Sequence, residues 1–311
     1  MTAVIEAESL TKWYGRRRGI VDVSFSVSEG EVFGFLGPNG AGKTTTIRTL
    51  LGFLRPTSGR ASIFGIDVWS EAAAAHRGIS YLGSEPGFLG EMTSAAQLDY
   101  LGALRGLPRS AWRPMAERLE LDPSVPTRKL SRGNRQKIGL VALFMGHEPL
   151  LVMDEPTTGL DPLMQREFLA LVADARGEGR TVFLSSHNLT EVERTCDRVG
   201  IVREGRLVDV SSVGELLGEH WRSVNLVLAL PAPEGAFDLP NVEVVAVTGR
   251  EVHVMVQGDV NPLLHRIAQL DVVDIAITTP DVEDLFLRYY HDEIPDATRV
   301  TTGESTAEAL R

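Results

Sequence analysis

The feature that most constrains this chain is the segment Gly37-Pro38-Asn39-Gly40-Ala41-Gly42-Lys43-Thr44, which follows the apolar run Val32-Phe33-Gly34-Phe35-Leu36. An uncharged run of that length reads as a strand buried on both faces. The residues after the loop, Thr45 to Leu51, read as a helix. A glycine-rich turn between such a strand and helix lets backbone N–H groups point inward without Cβ obstruction. The helix N-terminus adds a partial positive charge toward the same point. Lys43 supplies a mobile cation for β- and γ-phosphates, and Thr44 a hydroxyl for Mg²⁺, with Thr45 alongside. The plainer reading is a glycine turn that only starts a helix. The strand–loop–helix context favours the phosphate-binding one.

The rest of the chain fits an α/β core around that loop. Val21 to Val27 alternates with period two, as a half-buried strand does. Leu150-Leu151-Val152-Met153 and Thr181-Val182-Phe183-Leu184-Ser185 are further buried runs, with helical stretches between them. That pattern predicts several parallel strands. From about residue 92 to 146 helix dominates, broken at Pro108, Pro114, Pro123 and Pro126. The fold class expected is therefore an α/β phosphate-loop NTPase core over 1–212 with a helical insertion. After 213 the texture changes. Val224–Leu228, Val242–Val247, Val252–Val256 and Val272–Ile277 read as strands, and Leu263, Leu264, Ile267 and Leu270 follow helical spacing. Val252, Val254 and Val256 alternate with His253 and Met255, which predicts one buried face. An amphipathic stretch, Val282 to Tyr290, completes a small α+β domain over 213–290. The polar, aperiodic residues 291–311 read as a disordered tail.

Composition narrows the functional classes. The formal net charge is −11 and the pI about 5.2, so a whole-chain basic field for nucleic acid is absent and only a local patch stays open. A single cysteine, Cys196, precludes an internal disulfide framework and fits a reducing compartment. It sits on a probable helix and reads as a packed thiol. No run reaches the ~18 to 20 apolar residues that span a bilayer. The acidic start lacks the apolar core of a signal peptide. A cytoplasmic location is expected, with any membrane crossing supplied by a partner. Arg16-Arg17-Arg18 reads as a solvated hairpin tip rather than a phosphate or lipid contact.

Downstream, Leu150 to Met153 ends in Asp154-Glu155. Ligands of parallel sheets sit at strand C-termini. Asp154 there can hold Mg²⁺, directly or through water. Glu155 can orient and deprotonate an attacking water. Thr181 to Ser185 ends at Ser186-His187 on the same sheet edge, where His187 can bond the γ-phosphate or the water.

With these motifs in this order, residues 1–212 resemble the ATP-binding subunit of ABC transporters. The resemblance makes Gly37–Thr44 the Walker A motif, Leu150–Asp154 the Walker B motif, and Pro156-Thr157-Thr158-Gly159-Leu160-Asp161 the D-loop. His187 falls at the switch histidine. Tyr14 matches the aromatic that stacks on adenine, with Trp13 beside it able to share that role. Leu130-Ser131-Arg132-Gly133-Asn134-Arg135-Gln136-Lys137 stands where the family signature belongs. Arg132 and Asn134 replace a glycine and a glutamine, whereas Ser131 and Gly133 remain. Ser131 is a good helix N-cap, and the helix behind it can face an anion. In the family that anion is the γ-phosphate held by a second subunit, so ATP joins two cassettes head to tail. Arg132 adds positive charge there, toward either phosphate or solvent. A second departure is Ser84, which takes the place of a glutamine that senses Mg²⁺. As a shorter donor it would reach the metal only through water.

Thr279-Pro280-Asp281-Val282-Glu283-Asp284-Leu285-Phe286 resembles the ending of ABC-2-type exporter ATPases. The resemblance implies an ATPase bound to a membrane permease at the inner face of the cell membrane, working as a homodimer. Two other readings stand beside it: a non-transport ABC ATPase and an ATP-binding regulator with weak turnover. Paired cassettes or a long coiled-coil insert would mark the former, and neither is visible.

Overall fold

A computed structural model of the chain describes residues 2–218, 221–233 and 235–278. The expected amphipathic end Val282–Tyr290, the Thr279–Phe286 motif and the tail 291–311 lie outside the described residues. The chain divides into two compact units between Glu219 and His220.

The first unit runs β1 (Ala3–Tyr14), β2 (Arg17–Ser28), β3 (Val32–Leu36), α1 (Lys43–Leu50), β4 (Ser58–Ile63), β5 (Ile66–Asp67), α2 (Ala72–Ala75) and β6 (Ile79–Leu82). Next come α3 (Ser94–Leu104), α4 (Arg113–Arg118), α5 (Arg132–Phe144), β7 (Leu150–Asp154), α6 (Pro162–Gly177), β8 (Thr181–Ser186), α7 (Leu189–Thr195), β9 (Arg198–Arg203), β10 (Arg206–Ser212) and α8 (Val213–Gly218).

One sheet has the order β10-β9-β3-β8-β7-β6 and is parallel except for its β10 edge. Every residue of β3, β7 and β8 is buried. Strands β6, β7 and β8 lie side by side and β3 is inserted between β8 and β9, each parallel return being made by a crossover. A second, antiparallel sheet, β2-β1-β4-β5, packs on the first. Its contact is aromatic: Phe25 of β2 stacks on Phe33 of β3 at 5.5 Å and on Phe183 of β8 at 5.8 Å between ring centroids. Such pairs each add about 0.5–1.5 kcal/mol beyond their burial. The stack holds β3 and β8, the two strands that carry the loops at 37 and 187.

The helical segment occupies the expected stretch, with α3 capped by Thr93 and α5 by Ser131. Pro114 does not break a helix. It lies in the first turn of α4, where a missing N–H costs nothing. Val213 donates its N–H to the Asp197 carbonyl at 2.9 Å and is buried, which ties α8 to the first unit. Among the described residues no helix is long and apolar enough to cross a membrane.

The second unit holds β11 (Trp221–Leu228), β12 (Val242–Thr248), β13 (Glu251–Gln257), α9 (Asn261–Ile267) and β14 (Val272–Thr278). Its sheet is antiparallel in the order β12-β13-β11-β14. Val224, Leu226, Val252, Val254 and Val256 form its core with Phe237, Leu263 and Ile267. Met255 on the opposite face is buried too, so β13 is covered on both sides at that point.

Candidate functional site

Register places the chemistry. Leu36 lies opposite Ser186, and Asp154 opposite Ser185. The chain therefore leaves β3, β7 and β8 at one sheet edge, presenting the Gly37 loop, Glu155 and His187 together. Between β3 and α1 the loop turns through Gly42 at φ 111°. A Cβ there would also lie 2.9 Å from Ile20. The helix begins at Lys43, two residues before the sequence suggested, so Thr44 and Thr45 belong to its first turn.

Lys43 is 4% exposed and anchored on its own loop. Its Nζ donates to the carbonyls of Gly37 at 2.6 Å and Pro38 at 3.1 Å, and pairs with Glu155 Oε1 at 3.1 Å. The loop N–H of Ala41 is bonded to Pro38 and that of Gly37 to Ser186, which fixes the turn. Thr44 Oγ1 donates to Asp154 Oδ2 at 2.8 Å, and Ser185 Oγ to Oδ1 at 2.7 Å. Asp154 is fully buried, and its two oxygens each have a hydroxyl partner.

Glu155 has a left-handed backbone, φ 50°, unusual for a side chain with a Cβ. Its N–H bonded to Ser185 and its carbonyl bonded to the N–H of Thr158 hold that conformation. The carboxylate is the hub of the site. Oε1 faces Lys43, while Oε2 lies 3.3 Å from His187 Nδ1 and accepts from Thr158 Oγ1 at 3.2 Å. Burial pushes this carboxyl up, but Lys43, His187 and Thr158 outweigh burial and hold it below the ordinary glutamate value.

A cleft of about 520 Å³ opens over these groups, lined by Tyr14, Arg17, Arg18, Gly19, Asn39, Gly40, Gly42, Lys43, Thr44, Thr45 and Glu155. Tyr14 is half-exposed, its hydroxyl 3.5 Å from Thr45 Oγ1 and its ring 5.5 Å from the Lys12 ammonium. Arg17 and Arg18 do open β2 beside a hairpin turn, but they are not simply its solvated tip. Arg17 lies directly opposite Tyr14 across the hairpin, so the two share a face. Arg18 pairs with Glu204 at 3.2 Å.

The remaining expected residues lie elsewhere. Ser131 Oγ accepts from the Asn134 N–H at 3.3 Å and caps α5. Ser131 and Arg132 are exposed at that helix N-terminus, with Arg132 beside Gly159. Gly133 approaches the Gly159 carbonyl so closely that a Cβ would stand 2.7 Å from it. Gln136 Nε2 donates to the Pro156 carbonyl at 2.8 Å. The start of α5 thus packs on the loop after Glu155 without lining the cleft. Ser84 also lies outside the cleft. It lines a separate cavity of about 480 Å³ with Arg48, Phe53, Tyr81, Glu85 and Pro86. Cys196 is buried, and burial pushes its thiol well above the ordinary value.

Residues 20–158 match the family model described as ABC transporter. Over 301 residues the chain is 32% identical to the bacitracin transport ATP-binding protein BcrA of Bacillus licheniformis, covering 93% of this chain and 97% of that protein. It is 36% identical over 241 residues to the probable multidrug ABC transporter ATP-binding protein YbhF of Escherichia coli. That match covers 75% of this chain and 41% of the relative. A solved ATP-binding subunit of an ABC transporter is similar in fold, with a TM-score of 0.64 and 29% identity over 70% of this chain and 93% of the other.

Proposed function

The chain belongs to the ATP-binding proteins of ABC transporters, and from that membership we propose that its ATP hydrolysis drives export through a separate membrane permease. The observation that carries the mechanism is the convergence of Lys43, His187 and Thr158 on the Glu155 carboxylate. Support for export comes from the bacitracin-transport and multidrug relatives.

In this reading the backbone from Gly37 to Gly42, with Pro38, Asn39, Gly40 and Ala41 between, wraps the phosphates of ATP. Lys43 neutralises them, and Tyr14 stacks on the base above Thr45. Thr44 Oγ1 and Asp154 Oδ2 are hard oxygen donors of the kind Mg²⁺ takes, and they already lie 2.8 Å apart. When bound there, Mg²⁺ offsets negative charge on the phosphates. Glu155 accepts the proton of the attacking water, and His187 holds the water and the γ-phosphate in line. Arg17 adds a cation to the base-side rim of the cleft. Arg17→Ala is expected to raise the Kd for ATP about threefold at low salt and by less at high salt, as an exposed charge would. Nucleotide titrations at two ionic strengths check this; a salt-independent effect would count against it.

The exposed N-terminus of α5 suits the γ-phosphate held by a second copy, so two chains close head to tail around ATP. Ser131, Gly133 and Asn134 would present that helix end, and Arg132 would extend its charge. Ser84 lines its cavity with Tyr81 and the half-exposed Phe53. We place the permease at that cavity, with Ser84 linking it to the core of the unit rather than to the metal. The second unit is then an accessory domain, and the complex sits at the inner face of the membrane.

Extraction of the tagged chain from its own cells in mild detergent tests the assignment. A polytopic membrane protein is expected in equimolar amount, and the reconstituted pair is expected to hydrolyse ATP faster than the chain alone. Isolation without any membrane protein would favour a non-transport ATPase.

A further inference from the structure

We propose that Glu191 is a positioning residue for ATP hydrolysis, pinning the loop that follows Glu155 to the strand end that precedes His187. The proposal rests on the roles given above to Glu155 and His187. Glu191 lies in the first turn of α7 and is only 8% exposed. Its Oε2 accepts two hydroxyl hydrogen bonds, from Ser186 Oγ at 2.6 Å and from Thr157 Oγ1 at 3.1 Å. Ser186 ends β8 and directly precedes His187. Thr157 directly precedes Thr158, whose hydroxyl is bonded to Glu155 Oε2. One carboxylate oxygen therefore ties together the two segments whose side chains meet at that same Glu155 oxygen.

The base of Glu191 is itself fixed. Asn188 Oδ1 accepts from its N–H at 3.3 Å, and Thr195 Oγ1 donates to its carbonyl at 2.6 Å. Helix α7 already has its cap in Asn188, so the carboxylate is not needed to start it. It is also costly to keep there. Burial pushes the carboxyl above its ordinary value, and Oε1 is buried without accepting a hydrogen bond from any described residue. A packing role would be met more cheaply by an apolar side chain. What an apolar side chain cannot do is accept both hydroxyls. The tether matters because Glu155 has a left-handed backbone, so the direction of its side chain depends on what holds the residues after it.

The test is steady-state ATPase kinetics of the full-length chain. Glu191→Ala is expected to lower kcat about 10- to 100-fold, the usual loss when a group orienting a reactive one is removed. Its KM for ATP is expected to stay within about twofold, because Lys43, Thr44 and Tyr14 are untouched. Glu191→Gln keeps the oxygen that accepts both hydroxyls and is expected to recover kcat to within about fivefold of wild type. Thr157→Val removes one of the two bonds and covers the case in which Glu191→Ala fails to fold. It is expected to lower kcat, and the double variant with Glu191→Ala to be no slower than Glu191→Ala alone.

Wild-type kcat in Glu191→Ala, a loss confined to KM, a Gln variant as slow as the Ala variant, or multiplying effects in the double variant would each overturn the proposal. Glu155→Gln measured alongside separates the two levels. If that variant still turns over, the reading of Glu155 fails; if it is inactive while Glu191→Ala is not, only the tether fails.

Discussion

Glu155→Gln will bind ATP at least as tightly as the wild-type chain and hydrolyse it about 1,000-fold more slowly, the middle of the range that loss of a general base costs. The substitution keeps the shape of the side chain and removes its charge. Two consequences follow from the contacts. First, the carboxylate held below its ordinary pKa by Lys43, His187 and Thr158 is no longer available to take a proton from water. Second, Lys43 loses the anion that pairs with it at 3.1 Å, so its ammonium is offered more fully to phosphate. Binding therefore holds or improves while chemistry stops, and an ATP-bound dimer should accumulate on gel filtration. Phosphate release and nucleotide titration measure the two halves separately. A variant that turns over at the wild-type rate would remove Glu155 from the mechanism.

Much of that site is legible in the sequence, for a definite reason. Strands β3, β7 and β8 are buried on both faces, so each is a continuous apolar run that stops where polar chemistry begins. The residue after each strand, Gly37, Glu155 or His187, therefore lies at the sheet edge, one to three positions past the last apolar residue. The antiparallel sheet was harder to see. Strand β1 carries Glu6, Glu8 and Lys12 among its apolar positions, and register shifts near Ser9, whose φ is 47°, break its alternation. Periodicity cannot survive such bulges. The same shifts hide the pairing of Tyr14 with Arg17, so the hairpin is legible but its arginines read as a solvated tip. Motif order alone assigns Ser84, and it carries no information about which cavity the side chain lines. Glu191 shows the remaining limit. Its bond to Thr157 spans 34 residues and depends on how α7 meets the loop after β7. The spacing from Asn188 marks it as a capping-box glutamate, but the local sequence does not show that its carboxylate reaches Thr157 and Ser186 instead.

Lys43→Ala will abolish tight ATP binding, and the size of the loss can be argued from burial. A unit charge about 4 Å from a phosphate contributes about 4 kcal/mol at the effective dielectric typical of protein sites. Part of this is offset, because Lys43 must exchange its pairing with Glu155 for the phosphate. A remainder near 3 kcal/mol corresponds to a Kd raised about 100-fold. The variant also leaves the carbonyls of Gly37 and Pro38 without their ammonium donor, so the loop loses the side chain that holds its shape. Lys43→Arg should not rescue binding. The ammonium sits in a space that leaves it 4% exposed, and a planar guanidinium is larger and points its donors in a fixed fork. Glu155 remains partly open to solvent at 18%, so the unpaired carboxylate can hydrate and the fold should persist. Binding measured by calorimetry, with a thermal melt beside it, distinguishes loss of the phosphate contact from loss of structure. An intact melt with unchanged affinity would overturn the assignment of the loop from Gly37 to Thr44.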